Sequence, residues 1–431
     1  MRKYVLNGFI TALVACLTAC SPFRPSEKSN APLPVASAIH EGTSPSSNIP
    51  PAKTPPFNVP VFAQSEYKPV YRIAIFAPLY LNGITDTIKS DPLPLRILPG
   101  LEFYEGALMA LDSLRWQGFN LDVQVYDTRS SMGIEQILKS TFMDSVNLMI
   151  GSVNLEDLRL LSAFSKKHQV NFISATYPND GNIRNNPFLV ILNSTLQTHL
   201  EAIREYALQN FGKNKNIILF RRNNARGKKI TDILQGENEP LGKMIPLTTK
   251  EVIWYDSITP LAVSRNLSPV NFNICIVTSM DENAAANITG KLATLAGKYP
   301  LSVIGMPTWD GMSAFSGTNF QGINIFYSTP YYNDKKDPWS QYIIKNYRNT
   351  YKILPPDMVF KGFEATYYFC ELLKLYGLYF NRYINDPRYQ LITPYDLEPV
   401  YHRSDSLVPD YFENRKIYFI KVYNGLRYKA S

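Results

Sequence analysis

The chain has 431 residues, 45% of them apolar and 13% aromatic, which is more than one typical domain needs and enough for two sizeable cores. Its formal charge is +8, but the basic residues are scattered and Arg2 and Lys3 fall in a segment expected to be removed. No basic stripe suited to nucleic acid forms, so that class of partner is set aside.

Met1, Arg2 and Lys3 give a short positive start, and residues 4–19 (YVLNGFITALVACLTA) an apolar stretch too short and interrupted to span a bilayer as a helix of ~20 residues. Residues 1–19 therefore read as a signal peptide. Leu17-Thr18-Ala19-Cys20 resembles the lipobox of bacterial lipoproteins: an aliphatic residue, two small ones, then a thiol that takes diacylglycerol. The resemblance implies that Cys20 is the lipidated mature N-terminus, anchored by more than one acyl chain because a single chain binds membranes only marginally. Ser21 resembles the sorting signal for the outer membrane, on the face toward the periplasm. The other reading is an ordinary secretory leader with a chance cysteine.

Residues 21–69 are rich in Pro, Ser and Ala, with pairs at Pro50-Pro51 and Pro55-Pro56, and read as a linker. Its 49 residues would average about 35–42 Å end to end as a flexible coil.

From Tyr71 onward short β-rich runs alternate with helical stretches, the signature of parallel sheets covered by helices. Strands are expected at 71–77, 121–126, 146–150, 170–174 and 188–192, with a helix carrying Leu101, Tyr104, Leu108, Leu111 and Leu114 and others near 133–144 and 155–167. The pattern restarts with a helix at 196–209 and strands at 216–220, 251–254, 272–277, 301–304 and 323–327. Helices at 339–351 and 356–378, irregular chain, and a hairpin turning at Asn424-Gly425 complete it.

Cys16 leaves with the leader, and Cys275 and Cys370 sit in apolar runs as free core thiols. His40, His168, His199 and His402 lie far apart with no metal-type neighbour at i+4, so no metal site is expected. Gly-x-Ser-x-Gly, Walker and Gly-x-Gly-x-x-Gly motifs are absent. No cofactor and no enzymatic activity are expected.

Tyr71 to Pro78, Gly100-Leu-Glu-Phe-Tyr-Glu-Gly106 before a long helix, Tyr126-Asp127, Val146 to Ser152 and Phe172 to Pro178 occur in an order that resembles the type I periplasmic binding proteins of the leucine/isoleucine/valine-binding kind. The resemblance covers the chain from Tyr71 to its end. It implies an α/β fold of two doubly wound parallel-sheet lobes, joined by three crossovers near Ser194, near Pro330 and before the terminal hairpin, with a ligand cleft between them. The expected division is residues 70–194 with 330–385 as lobe 1 and 195–329 with 386–431 as lobe 2, after the leader (1–19) and the lipidated cysteine and linker (20–69).

Ligands of open α/β sheets sit at the carboxyl ends of the strands. In the first lobe those ends carry Tyr80 and Asn82, Ser152 and Asn154, and Ser174, Thr176 and Tyr177, whose hydroxyls and amides could hold a ligand carboxylate beside helix amides, or could simply cap the helices that follow. In the second lobe Arg221, Arg222 and Arg226 offer charge to an anion or form a solvated turn. Asp281 is a contact or a helix-start charge, and Trp309 is placed to stack on a ring. Two departures from the family bear on the ligand: Gly151-Ser-Val-Asn-Leu-Glu-Asp157 is acidic where amino-acid binders carry small hydroxyls, and Arg226-Gly227 replaces tyrosine-glycine.

The expectation is a lipid-anchored protein that binds a small polar or anionic solute, amino-acid-like or related, in the cleft between the lobes, for delivery to an ABC permease. The alternative is an envelope scaffold or regulator that contacts a cell-wall or membrane protein, as penicillin-binding-protein activators of similar fold do. The linker, the altered ligand loops and the tyrosine-rich segment 383–411 favour the alternative.

Overall fold

A computed structural model describes residues 66–83, 93–236, 247–403 and 405–430. The leader, Cys20 and most of the linker lie outside them. The chain forms two compact units: the first runs through Asn193 and resumes at Asn333–Asn414, and the second is Ser194–Tyr332 with Arg415–Ser431.

In chain order, the first unit opens with β1 (Tyr71–Ala77), α1 (Leu98–Trp116), β2 (Leu121–Asp127), α2 (Gly133–Ile137), β3 (Leu148–Gly151), α3 (Leu155–His168), β4 (Asn171–Ser174) and β5 (Leu189–Ile191). The second follows with α4 (Leu196–Gln209), β6 (Lys215–Arg221), α5 (Ala225–Gln235), β7 (Lys250–Ile253), α6 (Pro260–Ser264), β8 (Phe272–Val277), α7 (Glu282–Ala293), β9 (Leu301–Ile304) and β10 (Asn324–Thr329). The chain then returns to the first unit with α8 (Pro338–Tyr351), α9 (Asp357–Tyr376), β11 (Leu397–Val400) and β12 (Tyr411–Asn414), and ends in the second with β13 (Tyr418–Tyr423) and β14 (Leu426–Lys429).

Each unit holds a seven-stranded sheet, in the orders β11-β12-β5-β4-β3-β1-β2 and β14-β13-β10-β9-β8-β6-β7. The strands are parallel except β11, which is antiparallel to β12, and β13 and β14, which are antiparallel to their neighbours. Helices bury both faces, so β1 reads as the nearly continuous apolar run YRIAIFA and not as an alternation. Ala74 and Phe76 enter a core with Leu158 and Leu161 of α3. On α1, Gly106 and its neighbours cross α9 so closely that a Cβ on Gly106 would stand 1.9 Å from the Val359 carbonyl oxygen. Cys275 and Cys370 are buried and free in separate units.

Two expectations need correction. The helix near 133–144 is one α turn, Gly133–Ile137, and a separate 3-10 turn, Met143–Ser145, because the amides of Lys139 and Ser140 bond to carbonyls three residues back and tighten the chain. Residues 386–414, assigned above to lobe 2, pack in the first unit. Within them β12 pairs in parallel with β5, β11 adds antiparallel to β12, and the Asn414 amide donates to the Leu192 carbonyl at 3.1 Å. The last crossover therefore falls at Asn414–Arg415. Among the described residues no helix is long and apolar enough to cross a membrane.

Candidate functional site

In the first unit the sheet order reverses between β1 and β3, the point where open α/β sheets leave a crevice at the strands' carboxyl ends. The loop after β1 is organised by Asp127, whose buried carboxylate accepts the backbone amides of Leu79 (2.9 Å), Tyr80 (3.1 Å), Leu81 (2.9 Å) and Arg129 (2.8 Å). Within that arrangement Tyr80 takes a φ of 56°, and the loop's amides are already bonded to a carboxylate of the chain itself. Tyr80 is half-buried with the Arg96 guanidinium 5.6 Å from its ring centre, and Asn82 is exposed.

The next two loops meet through their hydroxyls. Ser152 Oγ lies 3.0 Å from Thr176 Oγ1, and the neighbouring Ser174, fully buried at the end of β4, has no partner for its hydroxyl. Thr128, after β2, is likewise buried with an unpaired hydroxyl. Sequence reasoning placed Ser152, Ser174 and Thr176 at strand ends but missed Thr128 and the role of Asp127, although Tyr126-Asp127 stood among the phrases that carried the resemblance. The signal was a carboxylate at a strand end facing a loop rich in otherwise unpaired amides.

Asn154 takes the capping alternative. Its side chain accepts the Asp157 amide at 2.9 Å while Asp157 faces back toward the Asn154 amide, a capping box at the start of α3. Asp157 also pairs with Arg129. Burial raises its carboxyl above the usual range, and Arg129 and the Asn154 amide pull it back. With Glu156 beside it, this helix start is already supplied with negative charge and does not favour an anionic ligand. An open hollow of about 700 Å³ adjoins it, lined by Leu155, Leu160 and Tyr177 together with Glu135, Glu156 and Arg159.

In the second unit the order reverses between β6 and β8. Arg221 is buried, bonded to Glu251 at 2.7 Å, and Arg222 lies 3.8 Å over the Trp254 ring while pairing with Asp256. These two arginines are therefore neither a solvated turn nor available to an anion. Arg226 is exposed on the first turn of α5, which Asn224 caps by accepting the Gly227 amide at 2.7 Å. Asp281 caps α7, accepting the Ala284 amide at 2.8 Å.

Trp309 is the clear correction. It has no exposed surface, donates its indole N–H to the Ser279 carbonyl at 2.9 Å and stacks on Phe315 at 4.5 Å. Gly305 leaves the room: a Cβ there would stand 2.0 Å from the indole. The ring is a core piece that orders the loop after β9, with no face left for a ligand.

No family model matches the chain, and no curated protein matches it. Solved structures do. A putative branched-chain amino acid ABC transporter protein from Rhodospirillum rubrum superposes with a TM-score of 0.57 at 13% identity, covering 84% of this chain and 99% of that one. A branched-chain amino acid ABC transporter periplasmic ligand-binding protein from Burkholderia xenovorans LB400 gives 0.56 at 11% identity, over 84% and 94% of the two chains. LpoA from Haemophilus influenzae gives 0.52 at 16% identity, over 86% of this chain but 60% of that one. At these identities the likeness is one of fold: the chain has the α/β fold of the type I periplasmic binding proteins.

Proposed function

We propose that the chain is a solute-binding protein and not an enzyme, and that it takes a small polar molecule, hydroxylated or amine-bearing, at the carboxyl ends of its parallel strands. The observation that carries this reading is the Ser174 hydroxyl, buried without a partner beside the Ser152–Thr176 pair. Burying a hydroxyl unsatisfied costs about 1–3 kcal/mol, and a ligand group arriving there removes that cost. The first unit offers hydroxyls at Ser152, Ser174 and Thr176 and, around the neighbouring hollow, Glu135, Glu156 and Arg159, while Asp127 takes the amides after β1 and Asn154 that of Asp157. This mixed set supports the polar side of the polar-or-anionic solute expected from sequence.

The lipid anchor at Cys20, a place in the outer membrane facing the periplasm, and delivery to an ABC permease belong to the same reading. The leader residues support the first two, and the fold likeness to ABC transporter proteins supports the last. A second reading, an envelope protein that contacts a protein partner, draws on the likeness to LpoA and on the edge that β11 and β12 give the first sheet.

The test is native mass spectrometry of the mature chain, repeated after a denaturing wash. A stoichiometric small mass that leaves on denaturation is the expected result and identifies the solute class. A bare protein whose melting temperature no metabolite raises would overturn solute binding and direct the search to protein partners.

A further inference from the structure

The opposite end of the first sheet, where its strands begin, carries features that solute binding does not use. The chain enters the unit there: Glu66 accepts the Leu378 amide at 3.0 Å just beyond α9, the Tyr67 hydroxyl donates to the Leu375 carbonyl at 3.1 Å, and the Tyr71 amide donates to Asn120 at the start of β2. Asn171, opening β4, donates its side-chain amide to the Leu378 carbonyl at 3.0 Å, so the strand starts and the ends of the helices share one end of the unit. Three exposed apolar side chains stand on it: Tyr67 (58%), Val70 (44%) and, as the last residue of α1, Trp116 (67%).

The last turns of α1, α3 and α9 also deliver Arg115, Lys166, Lys167 and Lys374 to this end, the last 4.0 Å from Glu371, while the carboxylates there, Glu66 and Asp122, are paired with Lys68 and Arg72. Cations at helix C-termini offset the macrodipole and need no further reason. An exposed tryptophan among them does, because burying an indole is among the larger apolar gains available and the other three tryptophans, Trp254, Trp309 and Trp339, are 7% exposed or less.

We infer that this end of the first unit rests on an anionic lipid surface. Tryptophan and tyrosine prefer the headgroup level of a bilayer, where one part of the ring is wet and the other apolar, and the surrounding arginine and lysines complement anionic headgroups. Glu66 enters the unit at this same end, 46 positions after the anchor proposed at Cys20, so a chain tethered in that way reaches the bilayer from this end; to that extent the inference rests on the proposed anchor. This inference is independent of which solute the strand ends hold.

The experiment uses the full mature chain with phosphatidylcholine–phosphatidylglycerol vesicles, with and without brominated acyl chains, and with phosphatidylcholine alone. Because Trp116 is the exposed tryptophan of the four, a blue shift and bromine quenching on the mixed vesicles report its contact with lipid. Both are expected to vanish in Trp116→Phe and to fall at least several-fold in the Arg115→Glu, Lys167→Glu double variant. Unchanged emission on mixed vesicles, or equal quenching on phosphatidylcholine alone, would overturn the inference. So would a blue shift that grows with protein concentration in the absence of lipid, which would mark the face as a contact between copies.

Discussion

The carboxylate of Glu364, on α9, accepts the backbone amide of Thr393 at 2.6 Å and that of Ile392 at 3.0 Å. It ties the segment that leads into β11 to a helix whose inner face is buried along most of its length. Burial pushes this carboxyl up to about 8 from an ordinary 4.5, against the pull of the two amides. Between those values the unfolded chain has released a proton that the folded protein still holds. The contribution to stability is therefore full below about pH 4.5 and is lost as pH rises toward 8. Glu105, raised by burial to about 7 although Tyr347 donates to it at 2.6 Å, acts in the same direction. Glu364→Gln keeps an acceptor for the amides and has no proton to lose. Its urea midpoint should match the parent's near pH 5 and exceed it near pH 8, by ~2–4 kcal/mol in unfolding free energy. Parallel urea curves at the two pH values would count against the assignment.

His199 acts on the acid side. It is buried on α4 with Nδ1 2.9 Å from the Ser328 hydroxyl, and burial pulls it down to about 4 from 6.5. The folded protein keeps the ring neutral where the unfolded chain would take a proton, so stability present above pH 6.5 is lost as pH falls toward 4. His199→Gln should flatten the acid side of a thermal-melting profile, with little change in the profile's alkaline side. An acid limb as steep as the parent's would show that other groups dominate.

Helix contact at two glycines sets a packing limit. A Cβ on Gly106 would stand 1.9 Å from the Val359 carbonyl oxygen, and one on Gly362 would stand 2.1 Å from that of Phe103. Both neighbours are backbone, so α1 and α9 would have to separate. Gly106→Ala and Gly362→Ala should each cost ~3 kcal/mol or more. Gly290, inside α7 with open space where its Cβ would go, is the contrast, and Gly290→Ala should gain ~0.5–1 kcal/mol. Chemical denaturation of the three variants checks both signs.

Ser174→Ala separates a ligand-directed hydroxyl from a structural one. The hydroxyl has no partner, so its removal should leave the melting temperature of the solute-free protein unchanged or slightly raised while weakening solute binding by ~10-fold or more. Calorimetry with the solute identified by mass spectrometry measures the second effect. A variant that melts markedly lower without solute would assign Ser174 to the fold alone.

The alternation of apolar runs and helical stretches was enough to read the parallel β–α order in sequence, because strands buried on both faces and amphipathic helices leave distinct periodicities. The strand at 272–277 and the helix at 196–209 are read residue for residue. At Asn424-Gly425 both residues take a positive φ, as the hairpin turn requires. The strands β11 and β12 were not legible: LEPV carries a proline and YFEN is four residues long, so neither shows a period until β12 pairs with β5 and β11 with β12. Asn154 and Asp281 had the right residue types for either a contact or a cap, and only the partner amides of Asp157 and Ala284 chose between them.

Local chemistry, then, determined what the amino-acid sequence could determine alone: the order of elements, the turn, the buried thiols, and the strand-end positions of Ser152, Ser174 and Thr176. Those depend on neighbours within a few residues. The tertiary structure decided which polar groups were left over. Trp309 lost its face to Phe315 and Gly305, Arg221 its charge to Glu251, and the amides after β1 their freedom to Asp127. Each partner comes from a distant part of the chain, and a side chain's availability is fixed only when packing has brought every competitor for it into place.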